Sequence, residues 1–167
     1  EMLADDFTFA GPVVGPLPKD TFVKAFTGFK VGEAFPDMKA NPYNFHVDPF
    51  EPNRVWFVTR AVGTHTGVMM GKIQPTNIKV YSPPQAQSVT FNEQGQATHL
   101  TVGYVMDRQL GNTGGLGGVF GLLHAIGKSP FAFPEGRPWK PSWQYRLFMF
   151  MGNLAAKVSG LFSKKDE

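Results

Sequence analysis

The sequence predicts an α+β domain built on a curled antiparallel sheet, followed by a separate basic helix. Three observations carry this. Two-residue alternation runs through residues 54–65, 87–92 and 97–106; glycines 63 and 103 interrupt two of these runs; and apolar residues recur at spacings of three and four from Trp143 to Leu161. Period two sends side chains to opposite faces of a strand, whereas spacings of three and four build one side of a helix. A glycine inside a strand marks a bend or a close backbone approach, as a curled sheet requires.

The elements follow in order. Residues 7–12 alternate and then break, which predicts a short strand or an extended entry. Pro12, Gly15, Pro16 and Pro18 predict a rigid loop. Asp20 can then cap a short helix with Phe22, Val23, Phe26 and Phe29 on one side, stopped near Gly28 and Gly32. Residues 34–40 turn into an extended segment. Residues 54–65 read as one long strand, with Val55, Phe57, Thr59, Ala61, Gly63 and His65 on one face. Residues 87–92 and 97–106 form a hairpin around the turn 92–95, whose glycine placement is typical of hairpins. In its second arm His99, Thr101, Gly103, Val105 and Asp107 share a face. Residues 114–118 read as a flexible or closely packed glycine hinge, and 119–126 as a short apolar segment closed by Gly127. The chain thus divides into a domain over 1–127, a stiff linker over 128–141 with prolines at 130, 134, 138 and 141, and a basic amphipathic helix within 142–167. Ser142 can cap that helix, and Lys164 and Lys165 oppose its dipole.

With 167 residues, 16 of them Phe, the chain can bury a core without disulfides or metal. Its lack of cysteine excludes a disulfide scaffold, thiol catalysis and cysteine–zinc sites. Residues 1–127 carry 9 Lys/Arg against 10 Asp/Glu, whereas residues 128–167 carry 7 against 3. The positive charge therefore belongs to the tail. A near-neutral body argues against nucleic acid as a partner, because phosphate binding needs a basic face. No stretch reaches the roughly 18 apolar residues of a membrane-spanning helix. The opening residues do not read as a signal or transit peptide, and with Met at position 2 the chain reads as a processed or incomplete form.

Phe35-Pro36-Asp37, followed by Arg54-Val55 opening a strand that ends Gly63-Thr64-His65-Thr66-Gly67, resembles the SnoaL-like polyketide cyclase family. So does the turn at 92–95 leading to Met106-Asp107-Arg108-Gln109-Leu110-Gly111. The resemblance implies the nuclear-transport-factor-2-like fold, a cone in which a bent sheet and helices enclose a pocket. The chain departs from the family in lacking most of its long opening helix, in a longer strand before Asp107, and in residues 112–167, which lie outside the pattern. The glycine hinge, Pro–Trp linker and basic end helix together resemble SnoaL-like proteins of algae with red-lineage plastids. That likeness implies a chloroplast protein peripheral to the thylakoid, an accessory or linker subunit of a photosystem–antenna assembly. It implies no cofactor beyond peripheral chlorophyll or carotenoid contact.

The family's cyclases use a pocket carboxylate as general acid/base in an aldol-type ring closure, and by motif Asp107 is its match. Among Val105, Tyr104 and Phe side chains a carboxyl group would be desolvated and its pKa raised, as proton transfer near neutrality requires. The plainer alternatives are an ion pair with Arg108 or Arg60, or a cap on the next segment. His65, His99, Thr59 and Tyr104 are the candidates for lining a pocket that takes a small apolar ligand. His65 can bond a hydroxyl or a ligand carbonyl, or simply fasten neighbouring loops. Histidines 46, 65, 99 and 124 have no spacing that brings two to one metal, so no transition-metal centre is expected. A single imidazole could still ligate a partner's chlorophyll magnesium. The glycines of 111–118 lack the Gly-Lys-Ser/Thr ending of a phosphate loop, and no Gly-x-Ser-x-Gly elbow occurs.

Trp143, Arg146, Leu147, Phe150, Leu154, Lys157, Val158 and Leu161 are expected to dock the end helix on an anionic bilayer or in a groove of a membrane protein complex. The alternative is a helix packed back on its own domain. The expected function is therefore a non-catalytic binding or assembly module held by its tail; the alternative is a small-molecule cyclase or isomerase with Asp107 as general acid/base.

Overall fold

Alternating residues at the start of the chain form β1 (Leu3–Gly11), which turns back at Pro12 and Val13 into β2 (Val14–Pro18). The computed structural model describes residues 2–129 together with 143–144, 146–152 and 154. The proline-rich stretch expected as a rigid loop is thus mostly strand, pairing antiparallel with β1 at Thr8–Pro18 and Phe9–Leu17. Proline is tolerated there because β2 is the sheet's edge, where no further strand needs its missing N–H.

The helix α1 (Lys19–Phe29) follows at once. Asp20 is not its cap: Pro18 holds the N-cap position and no side chain caps it, while Asp20 lies in the first turn facing the positive end of the dipole. The helix stops at Lys30, in a left-handed conformation with φ of 52°, rather than at Gly28 or Gly32. Phe22 sits 5.2 Å from Phe7 and 4.8 Å from Phe9 between ring centroids, so α1 covers the Phe7–Phe9 face of β1. A single turn, α2 (Val31–Ala34), leads to β3 (Pro42–Val47) and β4 (Arg54–Thr59).

The long strand expected over 54–65 is two strands in two sheets. β4 ends at Thr59; β5 (Val62–Thr64) pairs instead with β6 (Lys79–Tyr81). The break has a local cause. Arg60 N–H donates to Ala40 C=O at 3.1 Å and Val62 N–H to Lys39 C=O at 2.9 Å, so residues 39–40 capture the backbone just where its main-sheet partner runs out. That partner, β7 (Gln85–Phe91), begins with Gln85 opposite Thr59.

β7 and β8 (Ala97–Val105) form the expected hairpin, with Gly95 at φ 74° and Asn92 Oδ1 accepting from the N–H groups of Gln94 and Gln96. β8 then pairs in parallel with β1, which makes the six-stranded sheet mixed rather than wholly antiparallel. Its order is β2-β1-β8-β7-β4-β3. Between Ser88–Thr101 and Ala86–Tyr104 the register slips, so Val102 and Gly103 together oppose Gln87. Gly103, at φ 91°, supplies the left-handed residue of this bulge.

The apolar segment expected before Gly127 is α3 (Gly118–Ala125). The glycines before it are closely packed: a Cβ on Gly117 would strike the carbonyl oxygen of Gly103. α3 delivers Leu122, Leu123 and Ile126 to a core completed by Ala34, Phe35, Met69 and Val80. This core lies beside the main sheet, on α2, β6 and α3. The β3 edge stays open on both sides: a bulge between Tyr43 and His46 leaves Tyr43 on one face and Val47 on the other, all of β3 is exposed, and Phe45 stacks on Phe57 at 5.3 Å. Of the expected linker only Lys128 and Ser129 are described. In the end helix Trp143, Gln144, residues 146–152 and Leu154 are helical and, Gly152 included, exposed; Lys157, Val158 and Leu161 lie outside the described residues. Among the described residues no helix is long and apolar enough to cross a membrane.

Candidate functional site: a polar row across four strands

Alternation along four paired strands assembles a polar row on one face of the sheet. Register sets Thr8 of β1 beside His99 of β8, His99 beside Thr90 of β7, and Thr90 beside Arg54 of β4. A second row on the same face holds Ala10, Thr101, Ser88 and Trp56. Thr8 Oγ1 lies 2.7 Å from His99 Nδ1, fixing the ring. Ser88, fully buried, shares a hydrogen bond of 2.8 Å with Thr101 and accepts from Arg54 Nη1 at 2.9 Å. Arg54 Nε donates to Glu51 at 2.6 Å, and its guanidinium lies 5.8 Å from the Trp56 ring. Trp56 in turn donates to Asp48 at 2.7 Å, the main reason the Asp48 carboxyl is held below the usual carboxylate range.

Four buried side-chain atoms among the described residues have no hydrogen-bond partner: Thr90 Oγ1, His65 Nε2, and Nε and Nη2 of Arg108. Thr90 is the informative one, because it faces His99 across the ladder. A buried hydroxyl without a partner costs roughly 1–3 kcal/mol.

His65 is buried in the core, 5.1 Å from the Phe35 ring. Thr76 N–H donates to His65 Nδ1 at 3.2 Å, which assigns the ring proton to the unpartnered Nε2. The backbone of His65 also exchanges bonds with Asn77 and Ile78, so it fastens the loop before β6, the plainer of its two expected roles. Burial pushes its pKa down from the ordinary 6.5. The folded state thus binds fewer protons than the unfolded one, and stability falls as pH drops below about 6.5 toward the folded value. His65→Gln is expected to flatten urea midpoints between pH 7.5 and 5.5. Asp37, whose carboxyl is lowered chiefly by the Thr64 N–H bond of 2.7 Å, and Asp48 act in the same direction but at lower pH, below the carboxylate value of 3.8. A slope shared equally by wild type and variant in that upper window would remove His65 from the account.

Two other candidates part company. Thr59 is buried on the opposite face, where its hydroxyl accepts from Gln87. Tyr104, opposite Ala86, is brought by the bulge onto the His99 face, where it is 42% exposed. Asp107 does not share the face of His99 as expected: the extra residue of the Gly103 bulge reverses the alternation, putting Tyr104 opposite Ala86 and Val105 opposite Gln85. Asp107 is exposed, and its Oδ1 accepts from Gln109 N–H at 2.9 Å, a turn cap rather than a desolvated acid. Among the described residues no three His, Asp or Glu side chains converge as metal ligands would. An open groove of about 670 Å³ at the hairpin end, lined by Val55, Phe91 and the turn 92–94, holds none of these candidates. Alternation pointed to His99 but not to Thr8, which depends on a pairing between distant segments, nor to Thr90, though it faces His99 across the predicted hairpin.

No protein-family description and no curated protein matches the chain. Solved structures do. AclR of Streptomyces galilaeus, a candidate hydroxylase, is 20% identical over 77% of this chain and 80% of its own, with a TM-score of 0.52. The chain has the nuclear-transport-factor-2-like fold. A candidate SnoaL-like polyketide cyclase from Jannaschia sp. CCS1 is 19% identical over 60% of this chain and 65% of its own, at a TM-score of 0.46. IdmH of Streptomyces antibioticus, a candidate polyketide cyclase, is 17% identical over 60% and 73%, at 0.45. At such identities the fold is what is shared; within this fold, His99 and Thr90 occupy the two middle strands of the six-stranded sheet.

Proposed function

We propose that the protein binds a small carbonyl compound across the polar face of its sheet and acts on it as a cyclase or isomerase, with His99 moving the proton. The observation that carries this reading is the 2.7 Å Thr8–His99 bond opposite the buried, unpartnered Thr90 hydroxyl. Thr8 holds one ring nitrogen and leaves the other to exchange a proton with a bound molecule. In this reading the Thr90 hydroxyl donates to an oxygen that gains charge as a neighbouring C–H is deprotonated. The fold shared with AclR, a candidate hydroxylase, is in keeping with small-molecule chemistry. Asp107 has no part in this reading, because it faces solvent and caps a turn.

Anthraquinone-2-sulfonate, a water-soluble flat ketone, is a suitable probe. Titration is expected to shift the His99 ring resonances, and His99→Leu to weaken binding by about tenfold or more, the worth of a hydrogen bond to an ionisable group. Asp107→Asn is expected to bind as wild type does. The reverse pattern would return the acid/base role to Asp107.

A second reading, a non-catalytic module held by its end helix to a membrane or membrane protein complex, is favoured by one observation. Trp143, Phe148 and Phe150 are helical and 69%, 70% and 64% exposed. A plastid location and a photosystem–antenna role rest only on the resemblance carried by the glycine hinge, Pro–Trp linker and end helix.

A further inference from the structure

We infer that the helix carrying Trp143 to Leu154 seats in the headgroup region of an anionic lipid surface. The inference rests on the docking reading and is independent of His99. At 100° per residue, Trp143, Leu147, Phe150 and Leu154 fall within about 60° of one another, and Met151 and Phe148 widen the apolar arc to about 160°, interrupted only by Gln144. All six are exposed, Leu147 at 49%, Met151 at 59% and Leu154 at 52%. Arg146, also exposed, lies about 40° beyond the Phe150 edge of the arc.

Charge selects the occupant. The body is near neutral, whereas residues 128–167 carry 7 Lys/Arg against 3 Asp/Glu, so the apolar arc sits in the one strongly basic part of the chain. A basic helix of this kind is complementary to an anionic leaflet, where each nearby cation adds attraction that salt screens. Shape points the same way. Helix-binding grooves on proteins read a narrow stripe of anchors at i, i+3, i+4 and i+7. An arc of about 160° built from Trp, Phe, Met and Leu suits acyl chains, which conform to any side chain. The aromatic Trp143 at one end matches the preference of indole for the headgroup level.

The experiment uses the full chain with vesicles of 30% phosphatidylglycerol in phosphatidylcholine, and of phosphatidylcholine alone, at low and high salt. Wild type is expected to sediment with the anionic vesicles, at least tenfold less with the neutral ones, and less again in high salt. Phe150→Ser with Leu154→Ser should reduce the bound fraction at least tenfold, and Arg146→Gln severalfold, with unchanged far-ultraviolet circular dichroism and urea midpoint. Absence of binding to anionic vesicles overturns the inference. If native membranes stripped of no protein then retain wild type but not the double variant, docking stands and the occupant is a protein groove. If the double variant instead lowers the urea midpoint, the helix packs on its own domain, and both the inference and the docking reading fail.

Discussion

Phe35→Ala is expected to lower the unfolding free energy by about 3–5 kcal/mol, the cost of deleting a large buried aromatic ring. Phe35 is 1% exposed and belongs to a cluster of seven buried apolar residues among the described residues. Its ring is bracketed by His65 at 5.1 Å, so the cavity would open beside an imidazole that already lacks a partner at Nε2. Residues around a gap of that kind cannot collapse cheaply, because Ala34 and Phe35 are tied through the N–H groups of Thr66 and Gly67 and through Val31. Urea denaturation followed by circular dichroism measures the loss. Phe50→Ala is the control: with Phe50 92% exposed, its midpoint should stay within about 0.5 kcal/mol of wild type. A loss below about 1 kcal/mol for Phe35→Ala would show that this cluster is not the stabilising core.

Two glycine-to-alanine substitutions should have opposite signs. At Gly117 a Cβ would strike the carbonyl of Gly103, and both partners are backbone. Neither can withdraw easily: Gly103 is in the β8 bulge, and the neighbouring Gly118 N–H is bonded to Gln85 Oε1 at 2.8 Å. Gly117→Ala is therefore expected to cost about 2–3 kcal/mol, the upper part of the range for overpacking. Gly28 in α1 has nothing within 4 Å of its Cβ position, so Gly28→Ala should stabilise by about 0.5–1 kcal/mol through helix propensity. Thermal melts of the two variants give the comparison directly. A neutral Gly117→Ala would mean that α3 can move off the sheet.

What could be read from the sequence was what neighbouring residues decide. The β7–β8 hairpin was legible because Asn92 and Gly95 build the turn within five residues. The apolar run closed by Gly127 was legible as a segment, but not as the helix α3. The break after Thr59 was not, since residues 39–40 cause it by taking the backbone bonds of Arg60 and Val62. β2 was hidden because its two prolines, Pro16 and Pro18, ordinarily speak against a strand, and only its position at the sheet edge admits them. The site shows the same division. Alternation placed His99 and Thr101 on one face correctly, but a single bulge at Gly103 carried Val105 away from it and left Asp107 in solvent. Thr8 could not be paired with His99 from the sequence, because nothing local announces a parallel ladder between segments so far apart.

That parallel ladder between β1 and β8 also sets an order of events in time. Thr8 and His99 are 91 residues apart, so β1, though made first, has no long partner until nearly the whole domain has been synthesised. At about 5–20 residues per second the wait is on the order of 5–20 s. The β7–β8 hairpin closes a short loop and can form on its own, whereas joining β1 to it closes a long one and is entropically slow. The two halves of the Thr8–His99 pair therefore meet only in the final closure of the sheet. A chain halted before Val105 has emerged holds every strand from β1 to β7 and still lacks the strand that brings them together.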